Sequence, residues 1–232
     1  MIPKKIHYCW FGGKELPKLA KKCIASWKKQ CPDYEIVEWN ENNFDLTCNP
    51  YVRRAFEEKK FAFLSDYVRL AVVEEHGGIY LDTDVELRRN LDSLLNCSAF
   101  FGFENEQWVA TGLGFGAEAH APVMRQMLLS YEPLMASTEY IGCPILNTQA
   151  LIAWGLVPNG QRQTLADGVE IYPPEYFNPY DDPTGQLFVT ENTYSVHWYS
   201  KSWLPWYVVL RSQLTKPLHR LLGTDFARKK SK

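Results

Sequence analysis

Two aspartates follow a short apolar run at residues 79–84, which read I-Y-L-D-T-D. Residues two apart on a strand point to the same face, so the carboxylates of Asp82 and Asp84 are expected to emerge together where the strand ends. Two close carboxylates repel each other unless a cation lies beside them. Oxygen ligands of this kind suit Mg²⁺ or Mn²⁺, which take further ligands from substrate phosphates. The alternative is a solvated turn, and the D-T-D sequence alone does not decide between them.

A helical segment just before this run carries a second pair of charged side chains. Asp66 and Arg69 are three residues apart, so they lie on one face of the predicted helix. That face is opposite the apolar stripe formed by Leu64, Tyr67, Val68 and Ala71. The pair is either a surface ion pair worth about 0.2–0.5 kcal/mol or one wall of the cleft that holds the aspartates. In the second case the forked guanidinium suits a phosphate or a sugar hydroxyl.

The spacing of apolar residues predicts the elements that position these side chains. Strands are predicted at 5–10, 34–39, 79–81, 99–103, 112–116 and 169–172, and helices at 17–30, 50–60, 63–76, 123–131 and 145–154. Strands and helices that alternate in this way form an α/β sheet with parallel strands, which binds ligands at the carboxyl ends of the strands. We expect the sheet to be complete before residue 160.

Composition excludes several classes of protein. The 232 residues hold 25 Lys and Arg against 27 Asp and Glu, so no overall positive field points to nucleic acid. Residues 1–30 and 201–232 are basic, and the stretch between them is acidic. No secretory signal and no apolar membrane span is recognised. The six cysteines have no zinc spacing, and we interpret them as reduced thiols in a cytosolic protein.

Four motifs in order resemble glycosyltransferase family 32, the family with a DXD-containing sugar-binding region. They are I-P-K-K-I-H-Y-C-W-F-G-G at 2–13, S-D-Y-V-R at 65–69, G-G-I-Y-L-D-T-D at 77–84 and H-W-Y-S-K-S-W at 197–203. The family includes capsular and surface polysaccharide transferases and fungal mannosyltransferases, with the clostridial toxin glucosyltransferase domains as distant relatives. The resemblance implies an α/β fold of the GT-A type, a single Rossmann-like domain with a mixed, mainly parallel sheet and a C-terminal helical or lid segment. We place that domain at 1–202 and a basic aromatic tail at 203–232.

The resemblance also implies roles for residues that would bind the donor. Trp10 stacks on the nucleotide base, a contact worth about 1–3 kcal/mol. Asp66 and Arg69 hold the donor sugar and its phosphate. Tyr80 either supports the donor pocket or is a buried strand residue. His7 is expected to be structural.

The remaining implied residues surround a metal ion and its diphosphate. Asp82 contacts the ribose or the donor sugar and reaches the metal through water, and Asp84 ligates it directly. His197 completes the metal shell or, as the alternative, is an ordinary core histidine. Ser202 and Trp203 close over the diphosphate, so that the tail acts as a lid against water.

The function implied is a metal-dependent retaining glycosyltransferase, with Arg69, Asp82 and Asp84 as catalytic residues. It would use Mn²⁺ or Mg²⁺ and a nucleotide-sugar, with a UDP-sugar favoured over GDP-mannose. The acceptor would be a glycan or a polyprenyl-diphosphate-linked oligosaccharide in bacterial surface polysaccharide synthesis. Glu104 and Glu106 are either acceptor-site residues or solvated. The alternatives are a non-catalytic nucleotide- or glycan-binding protein on this fold and a galactosyltransferase-type GT-A enzyme of another family.

The tail at 203–222 mixes aromatic, aliphatic and basic residues and supports a further hypothesis. Such a segment suits a peripheral contact with anionic lipid, which would place the protein in the cytoplasm at the inner face of the cell membrane. An ordinary terminal helix packed on the core is the equal alternative. Pro205 and Pro217 are expected to interrupt any long helix there.

Overall fold

The computed structural model describes residues 1–201 and 206–223. In chain order the strands are β1 (Lys5–Cys9), β2 (Glu35–Trp39), β3 (Gly78–Tyr80), β4 (Val85–Leu87), β5 (Ala99–Gly102), β6 (Phe115–Ala117), β7 (Gln163–Thr164), β8 (Val169–Tyr172), β9 (Tyr180–Asp181), β10 (Gln186–Leu187) and β11 (Ser195–His197). The helices are α1 (Lys18–Gln30), α2 (Pro50–Glu57), α3 (Phe61–His76), α4 (Pro122–Leu129), α5 (Glu132–Met135), α6 (Cys143–Ala153), α7 (Pro174–Phe177) and α8 (Trp206–Leu222). Single 3₁₀ turns lie at Asp92–Leu94, Thr111–Leu113 and Ala166–Gly168.

Seven strands form the central sheet, in the order β2-β1-β3-β6-β5-β8-β7. β1 pairs in parallel with β2 and β3, and β5 pairs in parallel with β8. β6 runs antiparallel between β3 and β5, and β7 is antiparallel to β8. Five strands therefore share one direction, and their carboxyl ends meet at one edge of the sheet. This confirms the predicted α/β fold with a mixed, mainly parallel sheet.

Successive strand residues contribute to two separate hydrophobic cores, one on each face of the sheet. Ile79 and Phe100 face the core that contains Trp27 of α1, whereas Tyr80 and Phe101 face the core built by α2, α3, α4 and α6. Burying one such large side chain stabilises the fold by about 1.5–3 kcal/mol. The strands are thus fixed from both sides, which is what holds their carboxyl ends in place.

Helix α3 is buried on more of its surface than its sequence indicates. The apolar stripe packs in the core as expected, but Asp66 and Arg69 on the other side are only 8% and 4% exposed. The predicted alternative of a solvated surface ion pair is therefore wrong. The helix ends at His76 and is capped by Gly77, whose φ of +63° favours glycine.

The last third of the sheet differs from the prediction. We expected the sheet to be complete before residue 160, yet β8 pairs with β5 along its whole length and β7 forms the edge. This prediction is wrong because parallel pairing joins segments about 70 residues apart, a distance that local patterns do not report. The predicted strand at 112–116 is also shorter, because a 3₁₀ turn at Thr111–Leu113 precedes β6.

The C-terminal helix α8 runs through Pro217, contrary to the expected interruption there. Its side chains are tied to the 180–185 turn on both sides of the proline. Lys216 contacts Asp182, and Arg220 donates to the Thr184 carbonyl. These anchors compensate for the amide hydrogen bond that proline cannot make. None of the described helices has the length and apolar character needed to cross a bilayer.

Candidate functional site

The two aspartates of the D-T-D sequence lie in a turn between β3 and β4. The Leu81 amide still donates to the His7 carbonyl at 3.0 Å, and the Val85 amide then donates back to the Asp82 carbonyl at 2.9 Å. The two carboxylates converge as predicted, but a turn brings them together instead of the alternation of a strand. They stand at the carboxyl end of β3, where ligands bind in open α/β sheets.

His197 reaches this turn through a small separate sheet. β11 pairs antiparallel with β4, in a register that places His197 opposite Val85. The His197 Nε2 lies 3.2 Å from Asp84 Oδ1. One ligand atom each from Asp82, Asp84 and His197 lie within 4.8 Å of one another, a spacing that could hold a metal ion. The structure thus brings all three predicted metal ligands together.

Asp84 is held in place by the segment that follows His197. The Ser200 amide donates to Asp84 Oδ2 at 2.7 Å, and the Trp198 amide donates to the Asp84 carbonyl at 3.0 Å. Burial alone would raise the pKa of Asp84, but His197 and the Ser200 amide hold it well below its usual range. Burial would lower the pKa of His197, yet the Asp84 and Asp82 carboxylates raise it. The position therefore attracts positive charge.

Asp82 belongs to a buried charge cluster on the side of α3. The Arg69 guanidinium lies 2.9 Å from Asp66 Oδ1 and 3.2 Å from Asp82 Oδ1, and the Tyr80 hydroxyl donates to the same Asp82 oxygen at 3.0 Å. Burial raises the pKa of both carboxyls, and Arg69 opposes that shift. Asp66 and Asp82 share one guanidinium, and Asp84 lies against His197; three carboxylates in one cluster suit a divalent cation.

The position of Arg69 differs from the expectation that it meets a donor phosphate. Its Nε donates to the Ser65 carbonyl at 3.1 Å, its Nη2 contacts both aspartates, and its guanidinium lies 5.0 Å above the Tyr80 ring. In this arrangement Arg69 lies behind Asp82 and orients it. Tyr80 is fully buried, so it supports the cluster through its hydroxyl.

Two residues of the cluster were not found from the sequence. A Cβ on Gly112 would lie 2.7 Å from Asp82 Oδ2 and 3.1 Å from an Arg69 nitrogen, so any other residue there would displace the Asp82 carboxylate. The Cys143 thiol lies 4.0 Å from Arg69, and burial raises its pKa. Gly112 stands in a glycine-rich stretch that predicted only a strand, and nothing in one sequence shows which Cβ is excluded.

The predicted base-stacking residue lies at the same edge of the sheet. Trp10 follows β1, is half-buried, and donates from its indole to the Lys14 carbonyl at 2.5 Å. His7 is buried inside β1, as predicted for a structural histidine. Ser202 and Trp203 lie outside the described residues.

A cavity of about 550 Å³ opens beside the metal-ligand cluster. Tyr199 forms the wall between them, because its ring centroid lies 4.1 Å from that of His197 while its hydroxyl donates to Glu104 at 3.0 Å. Of the two glutamates singled out in the sequence, Glu104 lines the cavity, whereas Glu106 is exposed and outside it.

Comparison with known proteins links this site to one family. Residues 17–101 match the glycosyltransferase sugar-binding region containing the DXD motif. An uncharacterized glycosyltransferase of Acanthamoeba polyphaga mimivirus is 34% identical over 44% of this chain and 43% of its own length. Inositol phosphoceramide mannosyltransferase 3 of Schizosaccharomyces pombe is 27% identical over 69% of this chain and 48% of its own. The chain thus spans less than half the length of either relative.

A solved structure supports the fold. The structure titled PaToxG Glycosyltransferase superposes with a TM-score of 0.54 and 21% identity, over 66% of this chain and 69% of its own. The match at 17–101 contains Asp66, Arg69, Asp82 and Asp84. The resemblance to the DXD-containing glycosyltransferase family is therefore confirmed, on an α/β fold of the GT-A type.

Proposed function

We propose that this chain is a metal-dependent glycosyltransferase that transfers a sugar from a nucleotide-sugar to a hydroxyl of an acceptor. The observation that carries the proposal is the set of ligand atoms from Asp82, Asp84 and His197, which lie within 4.8 Å of one another at the carboxyl edge of the sheet. The two aspartates lie inside the matched sugar-binding region. The match favours this family over a galactosyltransferase-type enzyme of another family.

The chemistry of the donor set fits Mn²⁺ better than Mg²⁺. Two carboxylates suit either ion, but an imidazole ligand is typical of transition metals. Asp82, Asp84 and His197 would hold the ion, with Asp82 reaching it through water. When bound, a divalent cation would stabilise the negative charge that develops on the leaving diphosphate.

The chain's own residues would orient and shield the reactants. Arg69 and Tyr80 fix the Asp82 carboxylate, and the Ser200 amide fixes that of Asp84. Residues 198–201 cover this side of the site and would exclude water that hydrolyses the donor. We propose retention of anomeric configuration, with the acceptor oxygen bonding to the anomeric carbon on the face that the diphosphate leaves. The acceptor proton passes to the leaving phosphate, so we assign no protein base.

We also propose which nucleotide the donor carries. We favour a UDP-sugar, with Trp10 stacked on the uracil ring at the end of β1. The name of the fission yeast relative specifies a mannosyltransferase, which makes GDP-mannose the alternative. Thermal-shift measurements with Mn²⁺ and a panel of UDP- and GDP-sugars distinguish them, because only the bound donor raises the melting temperature appreciably.

We further propose that the acceptor is a glycan carried on a lipid, as in bacterial surface polysaccharide synthesis, and that α8 lies on the membrane. Leu210, Leu214 and Leu221 are spaced by four and seven residues, so they share one helical face, and they are 49%, 68% and 81% exposed. Basic Arg211 lies next to this face, and three more basic residues follow at 228–230. Exposed apolar residues beside cations suit a bilayer that contains anionic lipid.

The decisive test replaces the direct metal ligand. Asp84→Asn keeps an oxygen that can accept from the Ser200 amide but lacks the charge, and Asp84→Ala removes both. We expect both to lower kcat/KM for Mn²⁺-dependent sugar transfer or donor hydrolysis by at least about 100-fold, because the loss of a metal ligand removes several kcal/mol of transition-state stabilisation. Thermal unfolding checks that the variants fold.

Asp167→Asn is the matched control, because Asp167 is exposed and its φ of +55° is one that asparagine tolerates. It should retain full activity. Full metal-dependent activity in Asp84→Ala would show that the D-T-D assignment is wrong. Wild-type protein that binds a nucleotide-sugar but neither transfers nor hydrolyses it would favour the non-catalytic alternative.

A further inference from the structure

The cavity beside the metal-ligand cluster lies over the carboxyl ends of β5 and β8, whereas the D-T-D turn lies over β3. Its floor is formed by the segments that follow those strands, and one side is closed by the chain after β11. Its volume of about 550 Å³ is within the range of small-ligand pockets. The lining residues that matter here are Glu104, Glu175, Asn178, Asp181, Phe188 and Tyr199.

The polar groups of this cavity are mostly hydrogen-bond acceptors with capacity to spare. Glu104 accepts from the Tyr199 hydroxyl and Glu175 accepts from the Asn192 amide at 2.8 Å, which leaves further lone pairs on each carboxylate. The Asn178 Nδ2 donates to the Glu104 carbonyl at 2.8 Å and so fixes this amide at the cavity wall. Such groups are matched by a ligand rich in hydroxyl donors.

The charge of the cavity is also informative. Asp182 is neutralised by Lys201 and Lys216, with nitrogen–oxygen distances of 2.5 and 3.3 Å. Glu104 and Glu175 have no cation within ion-pair distance among the described residues. The cavity therefore disfavours phosphates and carboxylates, and the free lone pairs of Glu104 and Glu175 suit a ligand with hydroxyl donors.

An aromatic side chain stands at the mouth of the cavity. Phe188 is 59% exposed, and its backbone amide donates to the Pro179 carbonyl at 2.8 Å, which fixes its position after β10. An exposed ring beside acceptor groups is the combination that binds a sugar, whose apolar ring face packs on the aromatic surface while its hydroxyls reach the polar groups.

We infer that this cavity is the acceptor subsite and that it binds an uncharged sugar unit of the acceptor. The inference rests on the proposed function and specifies its acceptor. Tyr199 separates the cavity from His197 by a single ring, so a sugar bound here lies next to the metal-ligand cluster. Any charged group of a lipid-linked acceptor must then lie outside the cavity.

Saturation-transfer NMR with simple sugars tests this directly. The probes are the methyl glycosides of glucose, galactose and mannose, and methyl glucuronide as the anionic counterpart. We expect at least one neutral glycoside to bind at millimolar concentration, and the glucuronide about 10-fold more weakly. Phe188→Ala should weaken neutral binding by about 5-fold, the loss of one aromatic contact. Glu175→Gln should reduce the difference in affinity between the neutral glycosides and the glucuronide, because it removes one negative charge from the cavity.

Two control variants accompany these measurements. Glu106→Gln lies in the same loop as Glu104 but outside the cavity, and Leu129→Ala removes an exposed apolar side chain on α4. Both should bind the probes as the wild type does. The inference is overturned if no neutral glycoside binds, if the glucuronide binds equally well, or if Phe188→Ala changes nothing. Because the assay contains no donor or metal, its result is independent of whether the protein transfers sugar.

Discussion

The buried ion cluster shows how single residues prepare the site for a cation. Taking Asp66, Asp82 and Arg69 out of water is costly, and the short contacts of Arg69 to both carboxylates offset part of that cost. Only a forked guanidinium reaches two carboxylates and the Ser65 carbonyl at once, so lysine would not replace it. The result is an Asp82 carboxylate that Arg69 and the Tyr80 hydroxyl hold in one orientation.

Gly112→Ala tests how tightly this cluster is packed. A methyl group at Gly112 would lie 2.7 Å from Asp82 Oδ2, so Asp82 must move and its contact with Arg69 must lengthen. We expect nucleotide-sugar and Mn²⁺ to bind about 10-fold more weakly, and stability to fall by about 1–3 kcal/mol, as for overpacked sites. Titration calorimetry and urea unfolding measure the two effects.

Gly142→Ala provides the comparison for that variant. A Cβ there would meet its nearest neighbour, Pro144, at an ordinary 3.7 Å, so binding should stay at the wild-type level. If Gly112→Ala binds Mn²⁺ and donor as tightly as Gly142→Ala does, the close approach to Asp82 has no functional consequence.

At the scale of residues, the sequence predicted the site residues that belong to a motif. It did not predict those that only a contact in the structure identifies. Asp82 and Asp84 were predicted from their spacing after an apolar strand, and His197 from the resemblance of the H-W-Y-S-K-S-W motif to the family. Gly112 and Cys143 were not, because they meet Arg69 from positions 43 and 74 residues further along the chain. For Arg69 the sequence left open a surface ion pair or a place in the cleft of the aspartates, and the structure places it beside Asp82.

At the scale of elements, the metal-ligand cluster depends on two strand pairings. The D-T-D turn follows β3, which belongs to the main sheet. It leads into β4, which pairs with β11 in a separate two-stranded sheet. Trp27 of α1 donates to the Val85 carbonyl at 2.7 Å and so fixes the start of β4. A change in the register of β11 by one residue would move His197 to the opposite face and remove it from the site.

His7 couples three elements of the main sheet and should make stability depend on pH. The Trp39 indole donates to His7 Nδ1 at 3.1 Å, so that nitrogen must be unprotonated, and Nε2 donates to the Gly77 carbonyl at 2.8 Å. Burial lowers the pKa of His7 below its ordinary 6.5. The unfolded chain therefore takes up a proton first, and stability falls as pH drops below 6.5 until the folded pKa is reached.

His7→Gln keeps a hydrogen-bond acceptor for Trp39 but does not titrate. We expect wild type to be more stable than the variant at pH 7.5, with the difference shrinking by about 1 kcal/mol at pH 5.5. Urea unfolding at the two pH values measures it, and other titrating groups cancel in the comparison. A difference that stays constant would show that His7 is not held neutral in the folded protein.

The prediction of elements succeeded where neighbours in the chain are also neighbours in the sheet. The β1-α1-β2 unit was predicted to within two residues, because its strands pair directly and α1 has a clear apolar face. β8 was recognised as a strand, but its place beside β5 depends on long-range pairing. The predicted break of α8 at Pro217 is wrong because the contacts of Lys216 and Arg220 with the 180–185 turn do not appear in the local sequence.

At the scale of the whole molecule, α8 connects the cavity to the proposed membrane surface. Lys216 donates to Tyr180 at 2.7 Å and contacts Asp182, so one side of the helix holds the wall of the cavity. Leu210, Leu214 and Leu221 are exposed on the same helix. A membrane bound at these leucines would lie near the cavity, where a lipid-linked acceptor could present its sugar.

Vesicle flotation tests this arrangement in the full chain. We expect binding to vesicles that contain anionic lipid, weakened by salt because it depends partly on basic residues. Leu210→Glu with Leu214→Glu should abolish it, since each change puts a charge on the apolar face, and removal of residues 203–232 should do the same. Leu129→Glu is the matched control, because Leu129 is 50% exposed on α4 and should not affect binding. Equal flotation of all four proteins would show that α8 is an ordinary terminal helix, and the cavity would then take its acceptor from solution.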